Sequence, residues 1–118
     1  MQVSWWVELA VRPGCLNDFE KLTSKMVAST STEVGVLAYQ RFISDDWRTV
    51  YVHERYADSE AAVAHLRNFA ATYGEHYGRL VERKRFVVFG DPIKELRALL
   101  DNYGASYYRS FGSFPYSG

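Results

Sequence analysis

Residues 34–66, VGVLAYQRFISDDWRTVYVHERYADSEAAVAHL, contain the change of hydrophobic pattern that decides the fold. Two runs, residues 36–43 and 49–56, are rich in β-branched and aromatic side chains, which favour strands. The polar residues 44–46 separate these runs and favour a turn. The stretch therefore predicts a β-hairpin.

A helix is predicted directly after the second strand of this hairpin. Asp58 offers an oxygen that can cap the helix N-terminus, and Glu60 lies in the first turn. Val63, Leu66 and Phe69 then recur at three-residue intervals, as they would on one face of a helix.

The N-terminal segment adds one strand and one helix. Residues 2–11 alternate between two sides, and one side is fully apolar, which predicts a strand. Pro13 and Gly14 end this strand, and Asn17 or Asp18 is expected to cap the following helix. The apolar stripe of that helix consists of Leu16, Phe19, Leu22, Met26 and Thr30.

The C-terminal half completes the order of elements. The helical pattern breaks near Gly74 and resumes, and residues 83–89 form a last strand. Strand, helix, strand, strand, helix, strand is the ferredoxin-like order, an α+β fold with an antiparallel sheet and helices on one face. We expect residues 1–91 to form this domain. Residues 92–118 are expected to form a C-terminal helix and an aromatic tail, packed on the domain or on a partner subunit.

Both faces of the hairpin carry large side chains. With a turn at residues 44–47, one face is predicted to carry Leu37, Tyr39, Val50, Val52, Glu54 and Tyr56. The opposite face exposes Trp6, Phe42 and Tyr51, because two helices cover only one side of the sheet. We therefore expect a second copy of the chain to cover this face in a symmetric homodimer.

Length, charge and cysteine content restrict the class of protein. The 118 residues suit a single domain, and the 14 basic and 14 acidic residues balance. We therefore expect neither nucleic acid nor a membrane as a partner. Cys15 is the only cysteine, which excludes an internal disulfide. No signal peptide or membrane-spanning run is recognisable, and we expect a soluble, cytoplasmic protein.

The sequence resembles the antibiotic biosynthesis monooxygenase family of dimeric α+β barrels over residues 3–90. The resemblance lies in ELAVRPGCLNDFEKL, EVGVLAYQRFISDD and YVHERYADSEAAVAHL. The family includes quinol and polyketide monooxygenases and haem-degrading enzymes, so the resemblance implies the fold and the dimer more specifically than the reaction. It also implies a structural role for Glu54, bonded across the dimer.

No cofactor is expected from the motifs. The chain has no Gly-rich turn between a strand and a helix and no Cys and His cluster with zinc spacing. The monooxygenases of the family that it resembles are thought to use the substrate as the electron source: a phenol or hydroquinone loses a proton, and its anion passes an electron to O₂. Such a protein must supply a dry aromatic pocket, a proton acceptor and donors for the phenolate.

Three histidines are candidates for the proton acceptor or for substrate binding. His65 lies at the boundary between the second helix and the sheet and is the predicted catalytic base. His53 lies mid-strand on the predicted dimer face, where a structural hydrogen bond is the alternative. His76 follows the break at Gly74, where a solvated loop histidine is the alternative.

Tyrosine and arginine side chains are expected to shape the pocket. Tyr56 occupies a position that often holds Trp in the family, where it would stack on a flat substrate, and core packing is the alternative. Tyr73 either donates to a bound oxygen or belongs to the core. One of Arg83 and Arg85 must face inward, and Arg85 is the predicted substrate-binding residue, with a charged strand edge as the alternative.

The leading hypothesis is a cofactor-independent monooxygenase that oxidises an aromatic hydroquinone or a phenolic, polyketide-like substrate with O₂. The alternative is a non-catalytic small-ligand-binding or stress-response dimer. Haem-degrading members would have Asn where Val7 stands and Trp where His65 stands, and only His76 could serve as the haem ligand. These two departures argue against haem degradation.

Overall fold

The chain forms an open five-stranded mixed sheet with four helices in a computed structural model that describes residues 1–114. The elements are β1 (Val3–Val11), α1 (Leu16–Thr30), β2 (Val36–Ile43), β3 (Thr49–Tyr56), α2 (Ser59–Thr72), α3 (Gly74–Leu80), β4 (Val81–Gly90), α4 (Lys94–Asp101) and β5 (Ser106–Tyr108). The strand order is β2-β3-β1-β4-β5, and only β4 and β5 run parallel. The predicted ferredoxin-like α+β fold is confirmed, although the sheet does not close into a barrel. No helix among the described residues has both the length and the apolar character needed to cross a membrane.

The predicted hairpin is present, and polar side chains hold its turn. The Ser44 N–H donates to the Thr49 carbonyl at 2.9 Å. Oδ1 of Asp46 accepts from the Ser44 hydroxyl at 2.6 Å and from the Arg48 N–H at 3.1 Å. Trp47, at the tip, has a left-handed φ of 62°, which is rare for a bulky side chain.

The sheet has one face against the helices and one open face. Alternate residues of β1 are buried in the core: Val3, Trp5, Val7 and Leu9. The predicted inward positions of β2 and β3 are confirmed except for Leu37, which is exposed. A register irregularity between Val36 and Ala38 turns Leu37 outward, so that prediction is wrong.

The start of α2 follows its predicted cap, whereas the start of α1 does not. The Asp58 side chain accepts from the Ala61 N–H at 2.8 Å. Helix α1 begins at Leu16, so the prediction that Asn17 or Asp18 caps it is wrong. The Cys15 N–H donates to the Arg12 carbonyl at 3.0 Å in a tight turn, which starts the helix earlier without a side-chain cap.

The C-terminal extension packs on the same chain as far as the structure describes it. Leu96 and Leu100 of α4 are fully buried, and α4 contacts α2. Helix α4 then acts as the crossover that lets β5 pair parallel to β4, with Phe89 opposite Tyr108. The end of the predicted aromatic tail, residues 115–118, lies outside the described residues.

The open face carries a row of stacked aromatic rings. Trp6 of β1 stacks on His53 of β3, with ring centroids 4.5 Å apart and an angle of 18°. Phe42 of β2 also stacks with Trp6, with ring centroids 6.3 Å apart, and remains 51% exposed. Tyr51 is also exposed and donates to Oε1 of Glu8 at 2.8 Å. The predicted uncovered aromatic face is therefore present in the single chain.

Candidate active site

A small cavity lies between the inner face of the sheet and the helices. Its volume is about 30 Å³, enough for about one or two water molecules. Its polar lining consists of Arg41, Glu54, His65 and Arg83. Its aromatic lining consists of Trp5, Tyr39, Phe69, Tyr77, Phe86 and Tyr103. Every strand from β1 to β4 and the helices α2 and α3 contribute to this lining.

The carboxylate of Glu54 is the buried centre of the polar group. It lies on β3, opposite Trp5 of β1 and Tyr39 of β2. Oε2 accepts from Arg41 Nη2 at 2.8 Å, and Oε1 accepts from the Tyr56 hydroxyl at 2.5 Å. Burial disfavours the charged carboxylate, but Arg41, His65 and the Tyr56 hydrogen bond outweigh it and lower the pKa of Glu54. Within the chain, Glu54 is thus bonded to Arg41 of β2 and to Tyr56 of its own strand.

His65 lies between two carboxylates that come from different parts of the chain. Its Nδ1 is 2.9 Å from Oε1 of Glu33, and its Nε2 is 3.5 Å from Oε1 of Glu54. The His65 side chain is only 6% exposed, whereas Glu33 is 21% exposed. The imidazole separates the two carboxylates, and no group of three metal-ligating side chains that could hold an ion occurs among residues 1–114.

Arg41 and Tyr39 project from alternate positions of β2 onto the inner face. The Arg41 guanidinium lies 3.4 Å from the centroid of the Tyr39 ring. Burial opposes the charge of Arg41, but Glu54 and the neighbouring tyrosines raise its pKa above the ordinary value. Burial, partly offset by Arg41, raises the pKa of Tyr39 to about 12. Tyr39 therefore stays neutral, while Arg41 stays charged beside the cavity.

The inward-facing arginine of β4 is Arg83, whereas Arg85 faces outward. The pairing between β1 and β4 shifts after Glu8, so that Arg85 lies opposite Glu8 and Arg83 opposite Leu9. The Arg83 guanidinium lies 4.6 Å from the Tyr103 ring centroid and 5.9 Å from that of Tyr77. The expectation that Arg85 faces the pocket is corrected, because the irregularity changes which side chain points inward.

Of the two predicted catalytic residues, His65 lines the cavity, whereas Tyr56 is outside the lining and is hydrogen-bonded to Glu54, which belongs to it. The Tyr56 ring is fully buried, 4.8 Å from the Trp5 ring and 5.4 Å from that of His65. Its hydroxyl is bonded to Glu54, and burial followed by Glu54 raises its pKa well above the usual range. Tyr56 therefore contacts the site through Glu54.

The other predicted binding residues lie away from the cavity. His53 is on the open face, where Nδ1 is 3.2 Å from Oε1 of Gln40, and burial and Arg55 lower its pKa. Tyr73 lies at the junction of α2 and α3, packed against the core. His76 is exposed on α3, and the adjacent Tyr77 is the residue that enters the lining.

Some residues in and around the cavity were not singled out from the sequence. Arg41 and Tyr39 lie on the same, apolar face of β2. A charged side chain buried on such a face needs a partner of opposite charge, such as Glu54. The pairing of Arg41 with Glu54 could therefore have been predicted from the sequence. Glu33 lies in the connection between α1 and β2, where no periodic pattern indicates its direction. The position of Tyr103 at the cavity depends on how the C-terminal extension packs on the domain.

Comparison with known proteins supplies a family and a fold. The family model described as antibiotic biosynthesis monooxygenase matches residues 5–83. MupZ from Pseudomonas fluorescens has 20% sequence identity and a TM-score of 0.85, over 98% of this chain and 95% of that chain. Rv0793 from Mycobacterium tuberculosis has 23% identity and a TM-score of 0.60, over 80% and 98% of the respective chains. SnoaB, a cofactor-independent oxygenase from Streptomyces nogalater, has 14% identity and a TM-score of 0.66, over 79% and 95%. No curated protein matches the chain.

Proposed function

This chain belongs to the antibiotic biosynthesis monooxygenase family, and on that basis we propose that it is a cofactor-independent monooxygenase acting on an aromatic hydroquinone or a phenolic, polyketide-like substrate. The observation that supports this proposal best is the buried imidazole of His65 at an aromatic cavity. Glu33 and Glu54 both face that imidazole. A base of this kind, shielded from water, suits removal of a phenolic proton.

The proposed reaction begins with transfer of the substrate hydroxyl proton to Nε2 of His65. The resulting anion passes one electron to O₂, and the substrate radical and superoxide combine to form a carbon–oxygen bond. The His65 imidazolium returns its proton to the peroxide anion, and the hydroperoxide then eliminates water with the hydrogen of the same carbon, which leaves a carbonyl. One oxygen atom therefore enters the product and the other leaves as water. The substrate supplies all the electrons.

Two arginines are available to stabilise the substrate anion. Arg41 uses Nη2 to bond Glu54, and its Nη1 has no partner within residues 1–114. Arg83 lines the same cavity and forms no ion pair with a described carboxylate. Positive charge beside a forming phenolate lowers the cost of ionisation. We propose that Arg83 takes the anion-binding role expected of Arg85.

Substrate binding requires the cavity to enlarge. Its volume of about 30 Å³ is far below the several hundred cubic ångströms typical of small-molecule sites. Phe69, Arg83 and Tyr103 are among the partly exposed residues of the lining, and their outward displacement would open the cavity. The second candidate function, a dimer that binds a small ligand without turnover, would require the same enlargement.

We also propose that the protein is a homodimer formed through the open face of the sheet. Trp6, Phe42 and Tyr51 form a contiguous aromatic surface there. Covering this surface with an identical one would remove apolar area from water on both subunits.

Oxygen uptake tests the proposed function. Purified, metal-stripped protein is mixed with naphthohydroquinones and anthrones, with haem and a reductant in a parallel arm. Uptake above autoxidation that saturates with substrate supports the monooxygenase. Saturable binding without uptake supports the ligand-binding dimer, and haem bleaching alone supports haem degradation.

A further inference from the structure

We infer that Glu33 is a positioning residue for His65: its carboxylate holds the imidazole proton on Nδ1 and leaves Nε2, the nitrogen nearer Glu54, unprotonated. This inference rests on the proposed function for its catalytic consequence. The tautomer itself is a property of the folded chain and can be measured without a substrate.

Hydrogen bonds hold both the backbone and the side-chain carboxylate of Glu33. Its backbone N–H donates to the Thr30 carbonyl at 2.9 Å, just after α1 ends. In its side chain, Oε1 lies 2.9 Å from Nδ1 of His65, and Oε2 lies 3.4 Å from Nδ2 of Asn68, one turn along α2. The carboxylate is therefore oriented toward one particular nitrogen of the ring.

The two carboxylates compete unequally for the imidazole proton. Both oxygens of Glu54 already accept strong hydrogen bonds, from Tyr56 at 2.5 Å and from Arg41 at 2.8 Å. The distance of 3.5 Å from Nε2 to Glu54 is long for a hydrogen bond. Among residues 1–114, Oε1 of Glu33 has His65 as its one hydrogen-bond partner. The proton is therefore held on Nδ1, opposite Glu33.

This tautomer is the one that a base facing the cavity needs. When Nε2 accepts a substrate proton, the imidazolium that forms has a carboxylate against each nitrogen, Glu33 on one side and Glu54 on the other. The other groups packed against the imidazole are the aromatic rings of Tyr39 and Tyr56, each with its centroid 5.4 Å from that of His65. The guanidinium of Arg41 lies behind Glu54. Glu33 thus orients the ring in the way that the carboxylate of a catalytic triad orients its histidine.

Long-range ¹H–¹⁵N spectra of the full chain test the inference directly. We expect neutral His65 to be protonated on Nδ1 in the wild type and in Glu33→Gln, whose amide oxygen still accepts. Glu33→Ala should shift the ring toward the Nε2-protonated form, since Glu54 is then the remaining acceptor. Glu82→Gln, which replaces an exposed carboxylate of β4, is the matched control and should leave the His65 tautomer unchanged. An Nε2-protonated ring in the wild type, or an unchanged ring in Glu33→Ala, would overturn the inference.

Turnover gives a second readout that a purely structural role would not produce. In Glu33→Ala, kcat should fall by roughly 10- to 100-fold, less than the loss expected on removing a general base, while KM stays near the wild-type value. Glu33→Gln should recover part of kcat. Equal loss in both variants, with matching loss of thermal stability, would contradict a positioning role. A protein without turnover would refute the proposed function and leave the spectroscopic test intact.

Discussion

Arg41 Nη2 donates to Glu54 Oε2 across 2.8 Å between adjacent strands, with only 11% and 7% of the two side chains exposed. Both charges are thus removed from water on the inner face of an otherwise apolar sheet. Removing one partner leaves the other buried and uncompensated, which costs more than the pair itself contributes.

Breaking this pair should destabilise the protein strongly. We expect Arg41→Met or Glu54→Gln to lower the free energy of unfolding by about 3–5 kcal/mol each, and the double variant to lose less than the sum. Urea denaturation of the double-mutant cycle measures the coupling. The Arg67–Glu95 pair, 3.2 Å apart but 62% and 51% exposed, is the control and should couple by less than about 1 kcal/mol. Similar coupling in both pairs would contradict this account.

Alkaline pH should destabilise the fold through Tyr39. Its pKa rises from 10.0 to about 12 in the folded state because of burial. The folded state therefore holds this proton more tightly than the unfolded state, and stability falls as the pH rises from about 10 to about 12. Tyr39→Phe should reduce this slope, with a remainder from Tyr56 and Tyr77, whose pKa values burial also raises. Unfolding curves measured across this pH range give the slope of stability against pH. The same slope in Tyr39→Phe and in the wild type would contradict the raised pKa of Tyr39.

Gly35 should tolerate no side chain. It has a φ of 84°, and an added Cβ would lie 2.7 Å from Cβ of Ala61 at the start of α2. Gly14 has a similar φ of 77° with nothing within 4 Å of an added Cβ. Gly14→Ala should therefore cost only the left-handed backbone term of about 1–2 kcal/mol. Gly35→Ala should cost more, as measured by urea denaturation, and Ala61→Gly should restore the difference. Equal costs at the two glycines would show that the contact with Ala61 is unimportant.

The amino-acid pattern predicts the elements whose determinants are local. Alternation defines β1 and the hairpin, and Asp58 marks the start of α2 because its side chain caps the helix directly. Strand β5 has only three residues, and its parallel pairing with β4 depends on the intervening helix α4. No local sequence pattern therefore predicts it. Helix α1 starts early because a backbone turn, rather than a side-chain cap, begins it.

The composition of the site was less predictable than the fold. His65 could be placed because helical spacing puts it beside the apolar stripe of α2. The sequence could not show which of Arg83 and Arg85 faces inward. The register shift after Glu8 changes the face of the sheet on which the β4 side chains paired beyond it lie. Glu33 reaches His65 from a connection between elements 32 residues away along the chain, and only the tertiary fold brings the two together.

The oligomeric state should depend on the open face. Phe42 is 51% exposed and stacks near Trp6. We expect the wild type to sediment as a dimer at micromolar concentration and Phe42→Arg to sediment as a monomer with unchanged circular dichroism. Val34→Arg is the control, because Val34 is 93% exposed and lies before β2. A monomeric wild type in analytical ultracentrifugation would refute the proposed dimer.

We propose that this chain inserts one atom of O₂ into an aromatic substrate, with His65 as the proton acceptor. Mass spectrometry of the product formed under ¹⁸O₂ tests it most directly, with His65→Ala beside His53→Ala as the histidine control on the opposite face of the sheet. We expect one ¹⁸O atom in each product molecule for the wild type and for His53→Ala. For His65→Ala we expect labelling at the autoxidation rate, with substrate binding retained. Product without ¹⁸O, or full labelling activity in His65→Ala, would contradict it.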